Sequence, residues 1–370
     1  MSKAAELAAL IGSQTALSNR NLIINGAMQV AQRGTSSTGT GYQTVDRFQG
    51  TNSGLDESNT QAQVDVASGT TPYSLGFRKA FRITNGNQTS GADAGDIVNY
   101  RYIFEAQDIA NSGWDYTSSS SYVTLSFWAK SSVAQTFYGH MKTFDGTVYN
   151  YPFSLGALSA DTWTKVTKTI PGNSGLQIDN DNGQGLEFRI VMFYGTDRTA
   201  SVTENAWAVY DNTQRTPDNT STWYTTNDAT FEITGVQLEV GEQATPFEHR
   251  SFADELHRCQ RYYAVRENTA GSLKYYGRTL QAYGAASVFG LIADYPVTMR
   301  ATPTVSQSGT FGAYKANSGN NAMATAIQNL YATSHSWGTG GWSGNSNLTA
   351  GHAVVMYAEN NAKLMADAEL

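Results

Sequence analysis

Hydrophobic and polar residues alternate with a period of two over much of the chain between residues 21 and 250. Val123, Leu125, Phe127 and Ala129 alternate with Thr124, Ser126, Trp128 and Lys130. Leu186, Phe188, Ile190, Met192 and Tyr194 alternate in the same way with Glu187, Arg189, Val191 and Phe193. Successive side chains of a strand point to opposite faces, so each run predicts a strand with one core face. In residues 231–240 the core phase runs through Phe231 and Ile233, then slips by one to Val236, Leu238 and Val240. Gly235 at the slip predicts a β-bulge. Turn-rich segments at 68–71, 85–96 and 171–175 separate the strands. Many short strands with long polar connections predict a jelly-roll β-sandwich over residues 21–250.

The period becomes helical in two places. Residues 4–17 carry Leu7, Leu10, Ile11 and Leu17 at helical spacings, interrupted by Gln14. About 14 residues make a helix that is marginal alone, so it needs a partner. Leu7, Leu10, Gln14 and Leu17 fit an a/d seam, which suits a homotrimer bundle or a peg docked into another protein. A helix folded back on its own sandwich fits the same stripe. Leu7, Leu10, Ile11 and Leu17 are therefore the candidate oligomerisation or anchoring residues of an N-terminal segment, residues 1–20. Residues 251–263 form the second helical stretch, with Phe252, Leu256, Cys259 and Tyr263 on one face and Ser251 with Asp254 as a capping box. It reads as a connecting helix. Beyond it, residues 264–370 return to short β segments and a Gly-rich loop at 338–345, which predicts a second, smaller β-sandwich. The fold class expected is all-β.

Composition agrees with this pattern. Charged residues are 15% of the chain against an ordinary value of about 25%, and Tyr outnumbers Phe by 21 to 15, as strands joined by polar turns require. The net charge of −7 and the absence of any Lys/Arg cluster argue against nucleic acid as a partner. No run approaches the 18 or so apolar residues of a spanning helix, so no membrane partner is expected. A single cysteine, Cys259, permits no internal disulfide, and no signal-peptide pattern opens the chain, which predicts synthesis and folding in a reducing cytoplasm.

Searching for chemistry yields no catalytic residue. The five histidines occur in no HxH or HExxH arrangement, there is no GxSxG elbow, and Cys259 lies on an apolar helix face. No cofactor is expected. Asp179 and Asp181 in DNDNG could offer calcium oxygens from alternate positions, but Gly183 stands at the third ligand place, and a solvated hairpin loop accounts for the same residues. A carboxylate pair able to hydrolyse a glycosidic bond cannot be singled out by spacing. Aromatic residues are the better signal, because sugars stack their apolar faces on flat side chains. Trp128 and Trp163 lie in strand patterns and read as packed. Trp114, Trp207 and Trp223 adjoin polar turns, while Trp337 and Trp342 flank the Gly-rich loop. Those five are the candidate carbohydrate-binding residues, although a Trp beside Gly also serves to plug the end of a sandwich.

NLIINGAMQVAQRGTS (21–36) followed by TVDRF (44–48) resembles a family of phage tail-fibre and virion structural proteins. LSFWAKSS (125–132) and ITGVQLEVGEQATPFEHRS (233–251) resemble that family's jelly-roll unit, which is similar to carbohydrate-binding modules. ELHRCQRYY (255–263), MRATPTV (299–305) and the terminal DAEL resemble its linker and last unit. Phe48 departs from the Trp frequent at that place, and only about 20 residues precede Asn21, where relatives often carry a longer attachment region. The resemblance implies a non-enzymatic, oligomeric virion protein at the surface of a phage particle. It would contact other virion proteins through its N-terminal helix and attach the particle to host surface polysaccharide. A capsid-decorating or head-fibre protein and a polysaccharide-depolymerising tailspike are the alternatives.

Overall fold

In the computed structural model, which describes residues 19–269, 274–284, 287–315, 321–324, 327, 330–339 and 348–370, strands dominate and helices are short. The N-terminal helix expected at 4–17, with Leu7, Leu10, Ile11 and Leu17, lies outside the described residues. Two units emerge, one ending at Glu255 and the other spanning Leu256–Glu369.

The first unit is a sandwich of two antiparallel sheets. Its strands are β1 (Ser36–Ser37), β2 (Phe48–Ser53), β3 (Thr60–Asp65), β4 (Lys79–Thr84), β5 (Ile97–Glu105) and β6 (Tyr122–Ser131). They continue as β7 (Gln135–Thr143), β8 (Tyr149–Leu158), β9 (Thr164–Pro171), β10 (Gln184–Tyr194), β11 (Ala208–Val209) and β12 (Thr230–Val240). One sheet has the order β1-β3-β4-β12-β6-β9 and the other β11-β8-β7-β10-β5-β2. Chain neighbours repeatedly fall in different sheets, the crossing pattern of a jelly roll. The inward phases predicted from alternation meet in one core: Val123, Leu125 and Phe127 from β6 face Leu186, Phe188 and Ile190 from β10. Tyr100 crosses that core as a staple. Its hydroxyl accepts the Ile83 N–H at 2.9 Å and donates to the Phe231 carbonyl at 2.5 Å, joining β5 of one sheet to β4 and β12 of the other.

The bulge expected at Gly235 is present, with φ of +62° and a register shift against β6 between Thr234 and Gln237. A second slip breaks the expected alternation. The register of β10 against β5 shifts between Val191 and Phe193, which brings Phe193 into the core and turns Tyr194 to the outer face beside His140. Tyr194 is thus a correction to the simple alternation, caused by one extra residue in the strand.

Residues 19–30 fasten to β12 at its bulge. The Asn21 side chain accepts the N–H groups of Ile23 (2.9 Å) and Leu238 (3.1 Å) and donates to the Val236 carbonyl (3.2 Å). Asn25, in the left-handed region at φ +62°, accepts from Val30 N–H and donates to the carbonyls of Val30 and Asp46. Arg250 completes the clamp by donating to the carbonyls of Asn21 and Ile23 and pairing with Glu248 and Glu255.

The short helices are α1 (Thr71–Ser74), α2 (Ala106–Ala110), α3 (Thr222–Thr225) and α4 (Phe252–Gln260). Ser251 caps α4 by accepting the Asp254 N–H at 3.1 Å, as expected. The expected apolar face is only partly realised: Cys259 is buried, but Phe252 is 55% exposed and Tyr263 already belongs to the next strand.

The second unit comprises β13 (Tyr263–Glu267), β14 (Lys274–Gly284), β15 (Ser287–Asp294), β16 (Thr304–Ser308) and β17 (Phe311–Lys315). It continues with β18 (Asn321–Ala324), β19 (Leu330–Ala332), β20 (Ser336–Thr339), β21 (Ala353–Ala358) and β22 (Lys363–Asp367). A sheet β13-β22-β16 and a sheet β18-β17-β21-β14-β15-β20-β19 share a core of small side chains, Ala264, Ala282 and Ala366 among them, around Ile292, Phe311 and Leu364. This is the expected smaller sandwich.

A Cβ at Gly26 would lie 2.0 Å from the Val236 carbonyl oxygen. Gly26→Ala is therefore expected to push the clamp off the bulge and destabilise the first unit by about 1–3 kcal/mol or more, read as a lower midpoint in denaturant unfolding.

Candidate functional site

The bulge at Gly235 builds a cleft on the outer face of the β4-β12-β6-β9 sheet. Only a residue without Cβ leaves room there, because a side chain would meet the Phe77 ring at 2.6 Å. Phe77 packs edge-on against Phe247, with centroids 4.9 Å apart, and both lie about as close to His249. Opposite stands Trp128, whose direct partners across the sheet are Lys165 on β9 and Thr234 on β12. The cleft holds about 450 Å³ and is lined by Phe77, Trp128, Lys165, Gly235 and His249 with Leu75, Ser126 and residues 244–247. Trp128 is half-buried, and Trp163 beside it carries the Lys130 ammonium 5.2 Å over its ring.

The wall formed by residues 244–249 is held by buried polar groups of β12. Glu239 accepts the Thr245 N–H at 2.8 Å and its hydroxyl at 2.7 Å, and Gln237 accepts the Glu248 N–H at 2.8 Å. A rigid aromatic wall, an indole face and a few polar groups at the rim make a stacking surface of the kind that binds flat apolar faces bearing hydroxyls.

The outer face of the other sheet is a charged network. Glu187 is fully buried and pairs with Arg101 at 2.5 Å and Arg189 at 3.0 Å. Burial alone would push its carboxyl up, but Arg189, Arg101 and Lys142 outweigh this and hold it down to about 2. His140, directly across from Arg189, bonds Asn150 at 2.8 Å and the Tyr194 hydroxyl at 3.2 Å. Burial, reinforced by Arg189, lowers it to about 3, so the ring is neutral at ordinary pH.

Tryptophans expected to bind sugar occupy other places. Trp114 and Trp223 are buried, with their indole N–H groups bonded to the Ser121 and Thr230 carbonyls. Trp337 is 1% exposed and packs edge-on against Tyr295 at 4.2 Å. All three are core residues: Trp114 and Trp223 belong to the core of the first unit, and Trp337 lies in strand β20 in the core of the second. Trp207 is half-buried against Tyr151 and bonds the Pro171 carbonyl at 2.7 Å. Trp342 lies outside the described residues. The cleft instead takes Trp128, whose strand pattern suggests packing. Its signal is the polar phase of β6, since Trp128 shares that phase with Thr124, Ser126 and Lys130. Phe77, Phe247 and His249 give no signal of their own, being in segments without periodicity.

Asp179 and Asp181 serve the backbone of their loop. The Asp181 carboxylate accepts the Gly183 N–H at 2.8 Å, and the Asp179 N–H donates to Asp145 at 2.9 Å. Among the described residues no group of three or more His, Cys, Asp or Glu is placed to hold a metal ion, and no helix is long and apolar enough to cross a membrane.

No family model matches the sequence. No curated protein matches it either. Similar solved structures include the enzymatically active domain of tailspike protein 4 from bacteriophage CBA120, at 12% identity over 60% of this chain and TM-score 0.32. The chain covers only 22% of that tailspike structure. A putative sugar binding protein from Bacteroides thetaiotaomicron aligns at 13% identity over 60% of this chain and all of its own, with TM-score 0.31. The CBM22-1 xylan-binding domain of Paenibacillus barcinonensis aligns at 9% identity over 60% of this chain and 96% of its own, with TM-score 0.30. Likeness at this level carries no inference about ligand or activity.

The buried His140 and Glu187 make a pH prediction. Both have folded values below their ordinary ones of 6.5 and 4.5, so the unfolded chain binds more protons and stability falls on acidification. The His140 contribution should be lost as pH falls from 6.5 towards 3 and that of Glu187 from 4.5 towards 2. Denaturant unfolding across this range should show a loss beginning below pH 6.5 that His140→Gln removes down to about 4.5. A wild-type stability flat over that upper interval would contradict the assignment.

Proposed function

We propose that this chain is a non-catalytic glycan-binding protein, and that the cleft beside Gly235 is where a saccharide docks. The observation that carries the reading is the pairing of the half-buried Trp128 face with the Phe77, Phe247 and His249 wall across about 450 Å³. The bulge and the Glu239 contacts hold that wall in place without a ligand, so little ordering entropy is lost on binding. Lys165 and His249 line the cleft and are exposed, where hydroxyls of a stacked sugar would find polar partners.

The setting proposed for this activity is the surface of a phage particle, with the chain as a tail-fibre or receptor-binding subunit attaching the particle to host surface glycans. Support for that setting is the sequence resemblance in 21–48, 125–132 and 233–263. A homotrimer joined through residues 1–20 is the assembly proposed with it. Two of those segments meet in the structure: buried Asn21, Asn25 and Asp46 and the half-buried Arg250 join them in one clamp.

The test is direct. Purified protein should bind oligosaccharides or host-cell polysaccharide on a glycan array, and Trp128→Ala should weaken that binding about tenfold or more, the worth of one good stacking contact. Trp128→Phe should retain part of it. Protein that neither binds any glycan nor competes with particles for host cells would sink the reading.

A further inference from the structure

Around Glu187, the outer face of the β8-β7-β10-β5 strands gathers more cations than carboxylates. Arg101, Arg189 and Lys142 surround a single carboxylate, Glu187, and Arg215 approaches from the loop after β11 with its guanidinium 5.4 Å over the Tyr194 ring. Glu187 spends its two oxygens on Arg101 and Arg189. Lys142 sits directly across from Glu187 in the ladder, yet makes no salt bridge among the described residues. Its ammonium lies 4.4 Å from the Phe144 centroid and 4.7 Å from that of Tyr210. Arg215 is only 9% exposed, and among the described residues its side chain hydrogen-bonds only Asn212 and its Nε has no hydrogen-bond partner.

Buried and half-buried cations that outnumber their carboxylate are costly, because one local anion only partly offsets their desolvation. Burial lowers the Lys142 ammonium from its ordinary range, Glu187 opposes this, and Arg189, Arg101 and Arg215 deepen it. The surplus charge stands beside two half-buried aromatic rings, Phe144 just past the end of β7 and Tyr210 just past the end of β11. Cations that fit a planar or tetrahedral anion, flanked by rings that fit the apolar face of a pyranose, are the two halves of acidic-sugar recognition.

We propose that Arg101, Lys142, Arg189 and Arg215 form a second saccharide site that takes the anionic group, carboxylate or phosphate, of an acidic sugar residue, with Phe144 and Tyr210 as its apolar walls. The site lies on the sheet opposite the Trp128 cleft, and the proposal rests on the reading that the chain binds glycans. The incoming anion would pair with Lys142 and Arg215 and leave the Glu187 pairs intact.

The experiment is calorimetric titration of the full chain with three probes: trigalacturonate, glucose 6-phosphate and maltotriose. Either anionic probe should bind and weaken with added salt, and which of them binds identifies the anion. Lys142→Gln should weaken that binding about tenfold, the worth of one charge-assisted contact, while Trp128→Ala leaves it unchanged. Amide shifts at Lys142 and Phe144 in the native protein on adding the anionic probe provide a second readout that does not depend on the variant folding. Equal affinity for maltotriose and the anionic probes, no binding of either anion, or unaltered binding by Lys142→Gln would overturn the proposal. Loss of neutral-sugar binding in Trp128→Ala with anion binding retained would separate this site from the cleft. Anion binding that depends on Lys142 supports the second site even where no neutral probe binds, so failure of the cleft is distinguishable from failure of this site.

Discussion

The first sandwich depends on one constraint, the close approach of residues 21–26 to the bulged strand β12. Gly26 lies against the Val236 carbonyl where no Cβ fits, and Asn21 occupies the hydrogen-bonding groups of Val236 and Leu238 that the bulge leaves out of register. A bulge frees one backbone pair from the ladder, and a buried pair left alone costs stability. The Asn21 amide, with one donor and one acceptor aimed at the two strand groups, satisfies it. The same bulge removes the side chain at Gly235 and lets Phe77 come down on the backbone. Closure of the sandwich at one end and the floor of the candidate cleft therefore follow from a single inserted residue.

Charge is handled by a common device on both outer faces. Glu187, Glu232 and Glu239 are all buried on strands whose opposite faces are core, and each is met by a cation: Arg101 and Arg189, Arg82 and Lys130, and Arg20. Such carboxylates contribute little net stability relative to apolar replacements. What they do is fix which side chains lie where. Glu239 ties the 244–249 segment over β12, and Glu232 holds Lys130 across Trp163. Position, more than energy, is what the cleft takes from them.

Strand identity and core phase were legible because a two-residue period depends only on burial of one face. The bulge at Gly235 was legible too, as a slip in that period at a residue free to adopt positive φ. The slip in β10 was not, because Met192, Phe193 and Tyr194 are all large and the apolar pattern is blind to which of three adjacent bulky residues is the extra one. The tryptophans show a different blindness. Sequence neighbours suggested that Trp114, Trp223 and Trp337 were surface residues, but polar turn residues say only that the backbone nearby meets water. An indole is large enough to bury itself in a core while its backbone neighbours meet water, and all three are buried. Trp128 reverses the case. Its strand looked like a packing environment, yet its phase placed it on the outer face.

The two outer faces then diverge for a physical reason. On the sheet containing β12, the bulge and the folded-back segment 244–249 concentrate aromatic rings, so that face collects apolar surface around Trp128. On the sheet containing β10, long cationic side chains lie along neighbouring rings instead: Arg101 and Lys142 at Phe144, Lys142 at Tyr210, Arg215 at Tyr194. Guanidinium and ammonium groups tolerate such stacking because they retain a partly exposed edge for a ligand or water. A sandwich core constrains only the inward phase of each strand. Chemistry is consequently free to differ between the faces, and in this chain the difference is between an aromatic surface around Trp128 and a cationic cluster around Glu187.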